Sequence, residues 1–320
     1  MRRRLVALLC WGYLFLLLAL IAAIRTMGDR HWRGTVLLFA PRWPALLPLV
    51  VLVPLALWGN RRTLIVLGLS ILAGLFPLMG FNIGWHRFTA SSDGGMPIRI
   101  VAFNLHHLDL KSPDVERFFS DTHPDVVALE EMSQDYNRQL FPRESWHVRQ
   151  YNELFIASKY PIIAAENHIQ DICNKFTLKT PSGQVDFIIV HLSSPHYALK
   201  DAVRGIDQGK DELAQNIRER TDQAAYLNQL AGRSTRPLII AGDFNLLPDS
   251  PLFAGHFGDL TDAFESVGTG FGWTYENQWT SVRIDHVLTN SFFTPATFRK
   301  GPWLGSLHFP IVADVVLKNP

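Results

Sequence analysis

The chain has 320 residues, with 30 Lys and Arg against 29 Asp and Glu, a formal net charge of +1 and 48% hydrophobic residues. So even a balance argues against broad, non-specific nucleic-acid binding, which needs a positive excess, and leaves room only for a local basic groove. The length allows one large domain or two modest ones, and its two cysteines, Cys10 and Cys173, give the globular part neither an internal disulfide nor a Cys metal cluster.

The average hides two unlike parts. Up to about Phe81 the chain is dominated by Leu, Ile, Val, Ala and Trp, with Arg at the breaks. Met1-Arg2-Arg3-Arg4 leads into Leu5 to Ile24, twenty residues without a charge, the length that spans a hydrocarbon core as a helix. A cleaved signal peptide is the competing reading of a basic start. The stretch is long for such a signal and more apolar segments follow, so a retained helix is expected. A second span is expected over 44–58, short and carrying Pro48 and Pro54, then a basic turn at Gly59-Asn60-Arg61-Arg62, and a third span over 63–81. Three spans place the rest of the chain opposite the N-terminus. Under the positive-inside rule Arg2, Arg3, Arg4, Arg61 and Arg62 are cytoplasmic and the globular part extracytoplasmic. Arg25, Arg30, Arg33 and Arg42 on the opposite side weaken that bias.

Residues 82–97 contain Ser91-Ser92-Asp93-Gly94-Gly95 and read as a linker to a domain over 98–320. There the pattern predicts strands at Ile98–Asn104, Asp125–Glu130, Leu154–Ala157, Ile162–Ala165 and Val185–His191. A further strand starts at Leu238, and others are predicted at Val282–Leu288 and Ile311–Leu317. Helices are predicted at Pro113–Ser120 and at Asp211–Ala231, the latter with Leu213, Ile217, Ala224, Leu227 and Leu230 as its apolar stripe. Many short strands with a few covering helices suggest an α/β sandwich.

The stretch Leu238-Ile239-Ile240-Ala241-Gly242-Asp243-Phe244-Asn245 organises the rest. An apolar strand runs into an acid and an amide, which a period of two would place on one face. The alternative is a turn, which Asp and Asn also favour. The same ending recurs at Asn104, at Glu130-Glu131 and at His191, while Asp285 lies inside an apolar strand and His308 precedes one. Buried polar groups of this kind are costly unless paired or metal-bound, so six such sets point to a site.

These residues carry a resemblance. From about Ile98 to Lys318 the chain resembles the endonuclease/exonuclease/phosphatase superfamily, deoxyribonuclease I-like, as a membrane-anchored member of bacterial type. The matching motifs are Asn104, Leu129-Glu130-Glu131 at the family's Leu-Gln-Glu, Ser158-Lys159-Tyr160-Pro161, Val190-His191-Leu192, Gly242-Asp243-Phe244-Asn245, Arg283-Ile284-Asp285 and Ser306-Leu307-His308-Phe309-Pro310. The resemblance implies a four-layer α/β/β/α sandwich behind three transmembrane helices, and attack of activated water on a phosphodiester or phosphomonoester with Mg²⁺ or Mn²⁺. It implies Glu131 as metal ligand with Asn104 beside it, Asp243 managing the water, Asn245 orienting that cluster, and His191 on phosphate. Asp285 and His308 match a carboxylate–imidazole pair facing phosphate. His106, two residues beyond Asn104, is a further site candidate, and Glu130 reads as structural.

One position departs from the family. Leu307 stands where its Ser-Asp-His motif has Asp, a residue close to the metal. The expected activity is therefore a membrane-anchored phosphoesterase, with a catalytically weak or inactive membrane scaffold as the alternative. The substrate is a phospholipid headgroup, a nucleic acid or a soluble phosphoester, with the lipid bilayer as the other partner and no protein partner inferable. Arg218, Arg220, Arg233 and Arg236 are the only basic cluster in view.

Overall fold

The computed structural model describes residues 2–57, 61–88, 94–106, 108–132, 140–169 and 172–318. Trp58 at the end of the expected second span, Gly59 and Asn60 of the expected basic turn, residues 89–93 of the expected linker, and His107 lie outside the described residues.

Near the N-terminus are helices α1 (Arg2–Met27), α2 (Trp32–Phe39), α3 (Pro48–Leu57) and α4 (Arg61–Ala73), with a short 3-10 turn at Trp43–Leu46 before α3. Two of the described helical segments, Arg3–Met27 and Arg61–Leu78, are long and apolar enough to cross a membrane. The pair Trp32–Phe39 and Trp43–Leu57, bent by 67°, is a third candidate only if taken as one span. The expected second span, 44–58, falls in the second arm of that pair, a 3-10 turn followed by a ten-residue helix with Pro54 inside it. No expectation was placed on α2.

Two six-stranded mixed sheets follow. The first is built from β1 (Met96–Asn104), β2 (Val126–Glu130), β3 (His147–Tyr151), β4 (Leu154–Ser158), β13 (Phe293–Lys300) and β14 (Ile311–Leu317), in the order β13-β14-β1-β2-β4-β3. The second contains β5 (Ile162–Ile169), β6 (Cys173–Thr180), β7 (Gly183–His191), β8 (Leu238–Asp243), β9 (Thr261–Asp262) and β12 (Asp285–Thr289), in the order β5-β6-β7-β8-β12-β9. β1 with β2 and β7 with β8 are parallel; the other pairs are antiparallel. A small hairpin, β10 (Tyr275–Glu276) with β11 (Ser281–Val282), stands apart. The expected strand Val282–Leu288 is therefore two strands. Ser281 and Val282 pair with β10 while Asp285–Thr289 pair with β8, and between them Arg283 turns away to Asp262 and Glu265.

Alternate residues decide the packing. Ile98, Ile100 and Ala102 of β1 and Phe187 and Ile189 of β7 meet Ile239 and Ala241 of β8 in one core between the sheets. On the outer face of the first sheet lies α5 (Pro113–Thr122), with Pro113 in its first turn, beside Asp114 and Glu116. Its Val115, Phe118 and Phe119 cover Val101, Phe103 and Leu129. The outer face of the second is covered by α7 (Asp207–Gly232) through Ala224, Leu227 and Leu230, with α6 (His196–Val203) before it and α8 (Pro251–Phe257) and α9 (Ala263–Val267) after β8.

The N-terminal helices rest on this body. Leu247, Val282 and Ile284 complete a hydrophobic cluster with α1, α3 and α4. α2 packs through Trp32 and Val36 beside Ala198, Ala202 and Leu213. Asn82, expected in a linker, pairs with Gly270, and its side chain donates to the carbonyls of Phe264, Glu265 and Gly268. The expected basic cluster does not form. Arg220 is fully buried and Arg236 pairs with Asp186, while Arg218 stays exposed.

Candidate functional site

The residues that face the inter-sheet core continue, one step further along each strand, as polar groups. Ile98, Ile100 and Ala102 lead to Asn104, Phe187 and Ile189 lead to His191, and Ile239 and Ala241 lead to Asp243. In β12 the order is reversed, with Asp285 preceding Val287. Register then lines them up: His191 is opposite Asp243, and Asp243 opposite Asp285, while Asn104 is level with Glu130 in the other sheet.

The two remaining members arrive by turns. Glu131 has φ +53 and Asn245 φ +48, left-handed values that non-Gly residues seldom take. Continued as a strand, β2 would send Glu131 to the outer face; the left-handed residue brings it back over the cleft. The expectation that a strand period places Asp243 and Asn245 on one face is corrected, since β8 ends at Asp243. A turn joins them instead: the Asn245 amide donates to Asp243 Oδ1 at 2.8 Å. The strand argument for His106 fails likewise, because β1 ends at Asn104 and His106 sits in a turn with φ +45, its amide donating to Asn104 Oδ1 at 2.9 Å.

Asp243 Oδ2 is the hub. Asn104 Nδ2 donates to it at 3.0 Å and Asn245 Nδ2 at 3.2 Å, while His308 Nε2 lies 3.7 Å away and His191 Nε2 3.9 Å. Asn104 Nδ2 also reaches Glu131 Oε1 at 3.0 Å, and His191 Nε2 is 3.5 Å from the same oxygen. On the far side His308 Nδ1 meets both Asp285 oxygens, at 3.1 and 3.0 Å. The structure thus brings together Asn104, Glu131, His191, Asp243, Asn245, Asp285 and His308; the His106 side chain is exposed.

Burial and charge set the protonation of this cluster. Burial, then the Asp285 charge, pushes Asp243 up to about 6, against the opposing pull of His308 and His191. Burial alone would lower His308, but the charges of Asp285 and Asp243 outweigh it and hold the ring at about 9, positive at neutral pH. Beneath them Glu130 is fully buried with neither carboxylate oxygen hydrogen-bonded. Burial, reinforced by Asp285, Asp243 and Glu131, pushes it well above the usual carboxyl range, so it is neutral. Gly242 makes room here: at φ +138, a Cβ would lie 2.2 Å from the Val190 carbonyl oxygen and 2.7 Å from Glu130 Oε1.

Of the supporting residues, Ser306 is marked by the motif before His308, while Thr274 and Tyr275 carry no signal in the sequence. Thr274 Oγ1 accepts from the amides of Ile284 and Asp285, fixing where β12 begins. Tyr275 sets its ring edge-on to His308, with centroids 5.0 Å apart. Ser306 Oγ donates to the Asn104 carbonyl and accepts from the His308 amide, tying the β13–β14 loop to the end of β1. Leu307, between them, is 37% exposed.

The donor set suits a divalent cation. Ligand atoms of Asp243, Asp285 and His308 lie within 4.8 Å of one another, with the Glu131 carboxylate across Asp243. Carboxylates thus outnumber the one positive ring, and Mg²⁺ or Mn²⁺ takes such oxygens while keeping several waters.

No curated protein matches the chain. Among solved structures, humanized TDP2 of D. rerio superposes with a TM-score of 0.55 at 18% identity, covering 68% of this chain and 98% of that one. The AP endonuclease of Archaeoglobus fulgidus gives 0.54 at 13% identity, with coverage of 68% and 98%. The 3′ phosphatase NExo of Neisseria, in a variant bound to a product DNA hairpin, gives 0.51 at 17%, again covering 68% and 98%. At such identities these likenesses speak for the fold. The model of the Endonuclease/Exonuclease/phosphatase family matches residues 101–307, from the first core strand to the residue before His308. With that match spanning both sheets and the cleft between them, the chain belongs to the endonuclease/exonuclease/phosphatase family.

Proposed function

We propose that the chain is a membrane-anchored, divalent-metal-dependent phosphoesterase that hydrolyses a phosphodiester or phosphomonoester with activated water. Members of its family are hydrolases of phosphoester bonds. The observation that carries the reading is the convergence of Asn104, Glu131, His191, Asn245, Asp285 and His308 around Asp243. Asp243, with a carboxyl held near 6, is ionised at neutral pH yet basic enough to take a proton from water. Asn104 and Asn245 fix its orientation by donating to it. The His308 ring, held positive by Asp285, presents Nε2 to the phosphate, where it stabilises developing negative charge. His191 supplies a second imidazole on the other side of Asp243. Glu131 and Asn104 are the ligands that would hold Mg²⁺ or Mn²⁺, since His308 is already engaged by Asp285. Such an ion, when bound, neutralises charge on the phosphate and lowers the pKa of a coordinated water.

The anchoring half of the proposal rests on faces left uncovered. Leu8, Phe15, Val50 and Leu57 of the N-terminal helices are each at least 70% exposed, apolar surface that water does not favour and acyl chains do. Gly28, just past α1, lies against Pro251, and Leu78, beyond α4, is joined to Arg42, which pairs with Asp249. Both helices thus finish against the domain, and Arg2–Arg4 and Arg61–Arg62 start at the other end. This arrangement supports a cytoplasmic basic end and an extracytoplasmic domain under the positive-inside rule. A tethered site meets headgroups at high local concentration, which favours a phospholipid headgroup among phosphate-ester substrates.

The test is a panel of nucleic acids, phospholipids and inositol phosphates with Mg²⁺ or Mn²⁺, for wild type and Asp243→Ala. Hydrolysis of one class, lost by a factor of about 10² to 10⁴ in the variant, is expected. No hydrolysis of any class, or a variant as active as the wild type, sinks the proposal. Leu307 motivates the second reading, a weakly active or inactive scaffold. Absence of any Mg²⁺ heat in calorimetry would favour it.

A further inference from the structure

Asp29, in the turn between α1 and α2, and Arg220, on the inner side of α7, are both closed to solvent and meet at 2.7 Å. Burying two charges is costly, so such a pair is kept only when its remaining polar atoms are met. Here they are. Asp29 Oδ2 accepts from Ser250 Oγ at 2.6 Å, and Asp29 Oδ1 from Thr35 Oγ1 at 3.4 Å. Arg220 Nε donates to Asn216 Oδ1 at 2.9 Å, and Arg220 Nη1 to the backbone carbonyl of Asn245 at 3.2 Å.

That last contact joins the N-terminal region to the site. The loop from Asn245 to Ser250 is gripped along its length: Arg220 at the Asn245 carbonyl, His286 Nε2 3.0 Å from the Leu246 carbonyl, Arg42 on both Asp249 oxygens at 2.7 and 3.1 Å, and Asp29 on Ser250. Asp29 and Arg42 both belong to the segment before the linker. Asn245 in turn holds Asp243 by its amide and its side chain.

We propose that Asp29 and Arg220 are positioning residues of the phosphoesterase site, so that the turn after α1 sets the Asn245 backbone and, through it, the Asp243 carboxylate. The inference rests on the phosphoesterase reading above and extends it: the N-terminal region is a working part of the site as well as an anchor. Arg220 touches no substrate, and its effect passes through one carbonyl.

The test uses the full chain in lipid nanodiscs with Mn²⁺. In the paired variant Asp29→Leu with Arg220→Met no buried charge is stranded, so folding is retained while the grip on Asn245 is lost. Amide exchange of the 243–250 peptide should quicken at least tenfold with Leu238–Ala241 unchanged. On bis(p-nitrophenyl) phosphate kcat should fall at least tenfold with KM within twofold. Asp29→Asn carries the test should the paired variant not fold, with an expected loss in kcat of at least threefold. A folded paired variant with wild-type kcat, or with unchanged loop exchange, overturns the positioning role alone. A wild type that hydrolyses none of the esters in the panel overturns the phosphoesterase reading and the catalytic role with it, while the exchange measurement still reads the grip itself.

Discussion

Asp285→Asn removes the charge that does most to keep His308 positive, and the size of the effect depends on pH. With Asp285 in place the ring titrates at about 9 against an ordinary 6.5. At pH 8 a group titrating at about 9 is roughly nine-tenths protonated, and one at about 6.5 only about 3% protonated, a ratio of about 30. At pH 6 the same comparison gives a ratio of about 1.3. Asp243 still raises the ring and burial lowers it, so about 30-fold is the loss expected at pH 8 when the two offset each other. Asp285 raises Asp243 as well, so its removal moves the acid limb of the profile downward. The wild type should show a bell in kcat/KM with limbs near 6 and 9, the acid limb lowered further by a bound cation. The variant's bell should shift to lower pH as a whole. The assay is the pH dependence of kcat/KM on a chromogenic phosphodiester between pH 5 and 10. An alkaline limb that stays in place in Asp285→Asn, or in His308→Gln, refutes the assignment of that limb to the ring.

Three further outcomes test the ground beneath the site. Glu130 holds its proton in the folded state well above the unfolded value of 4.5, so that contribution is complete below pH 4.5 and is lost as pH rises toward the folded value. Glu130→Gln should therefore gain stability over wild type by about 1.4 kcal/mol per pH unit from 4.5 up to the folded value, read as a gap in thermal unfolding that widens as pH rises above 4.5; a constant gap refutes a raised carboxyl. Gly242→Ala would place a Cβ 2.2 Å from the Val190 carbonyl oxygen at φ +138, and should cost at least about 3 kcal/mol in denaturant unfolding. A variant as stable as wild type would show that the strands can part there. Leu307→Asp should tighten Mg²⁺ binding about tenfold in calorimetry, about 1.4 kcal/mol; unchanged affinity would mean that position 307 does not adjoin the ion.

How much of this was legible in the chain depends on which periodicity carried it. β14 is read to the residue because Ile311–Leu317 is a nearly continuous apolar run. β6 was missed because Asn174, Lys175, Thr177 and Lys179 look like surface. Two of them find partners only in the paired sheet, where Thr177 Oγ1 bonds Asp186 at 3.0 Å and Lys175 meets the same acid at 3.1 Å. The site divides the same way. Asn104, His191, Asp243 and Asp285 follow from the strand period, since each shares the parity of core residues beside it. Glu131 and Asn245 do not, because both stand at positive φ, where the period has already failed. Asn245 is reached from the period only by a strand that ends before it, and the role of Glu131 comes from motif resemblance. Arg220 was misread as part of a basic surface because nothing local marks it as the partner of an acid 191 residues away.

The two departures from the family's motifs, Glu130 for Gln and Leu307 for Asp, exchange one carboxyl for another in number but not in effect. Glu130 is shut between the sheets, with no donor on either oxygen, and burial keeps it neutral. It adds no negative charge that a cation or a phosphate could feel. Leu307 is 37% exposed beside Ser306 and His308, where an acid would stay ionised and face the cleft. The loss therefore falls on the one carboxylate of the two that could hold an ion from the open side. The remaining anionic charge is concentrated on Glu131, Asp243 and Asp285, and the positive His308 ring is already spent on the last of these. A cation held here would depend chiefly on Glu131, which stands over the cleft on a left-handed residue and accepts from Asn104 Nδ2, with His191 Nε2 3.5 Å from the same oxygen. On the metal-dependent reading, metal affinity, more than the acid–imidazole pair, is where this chain would differ from the family pattern.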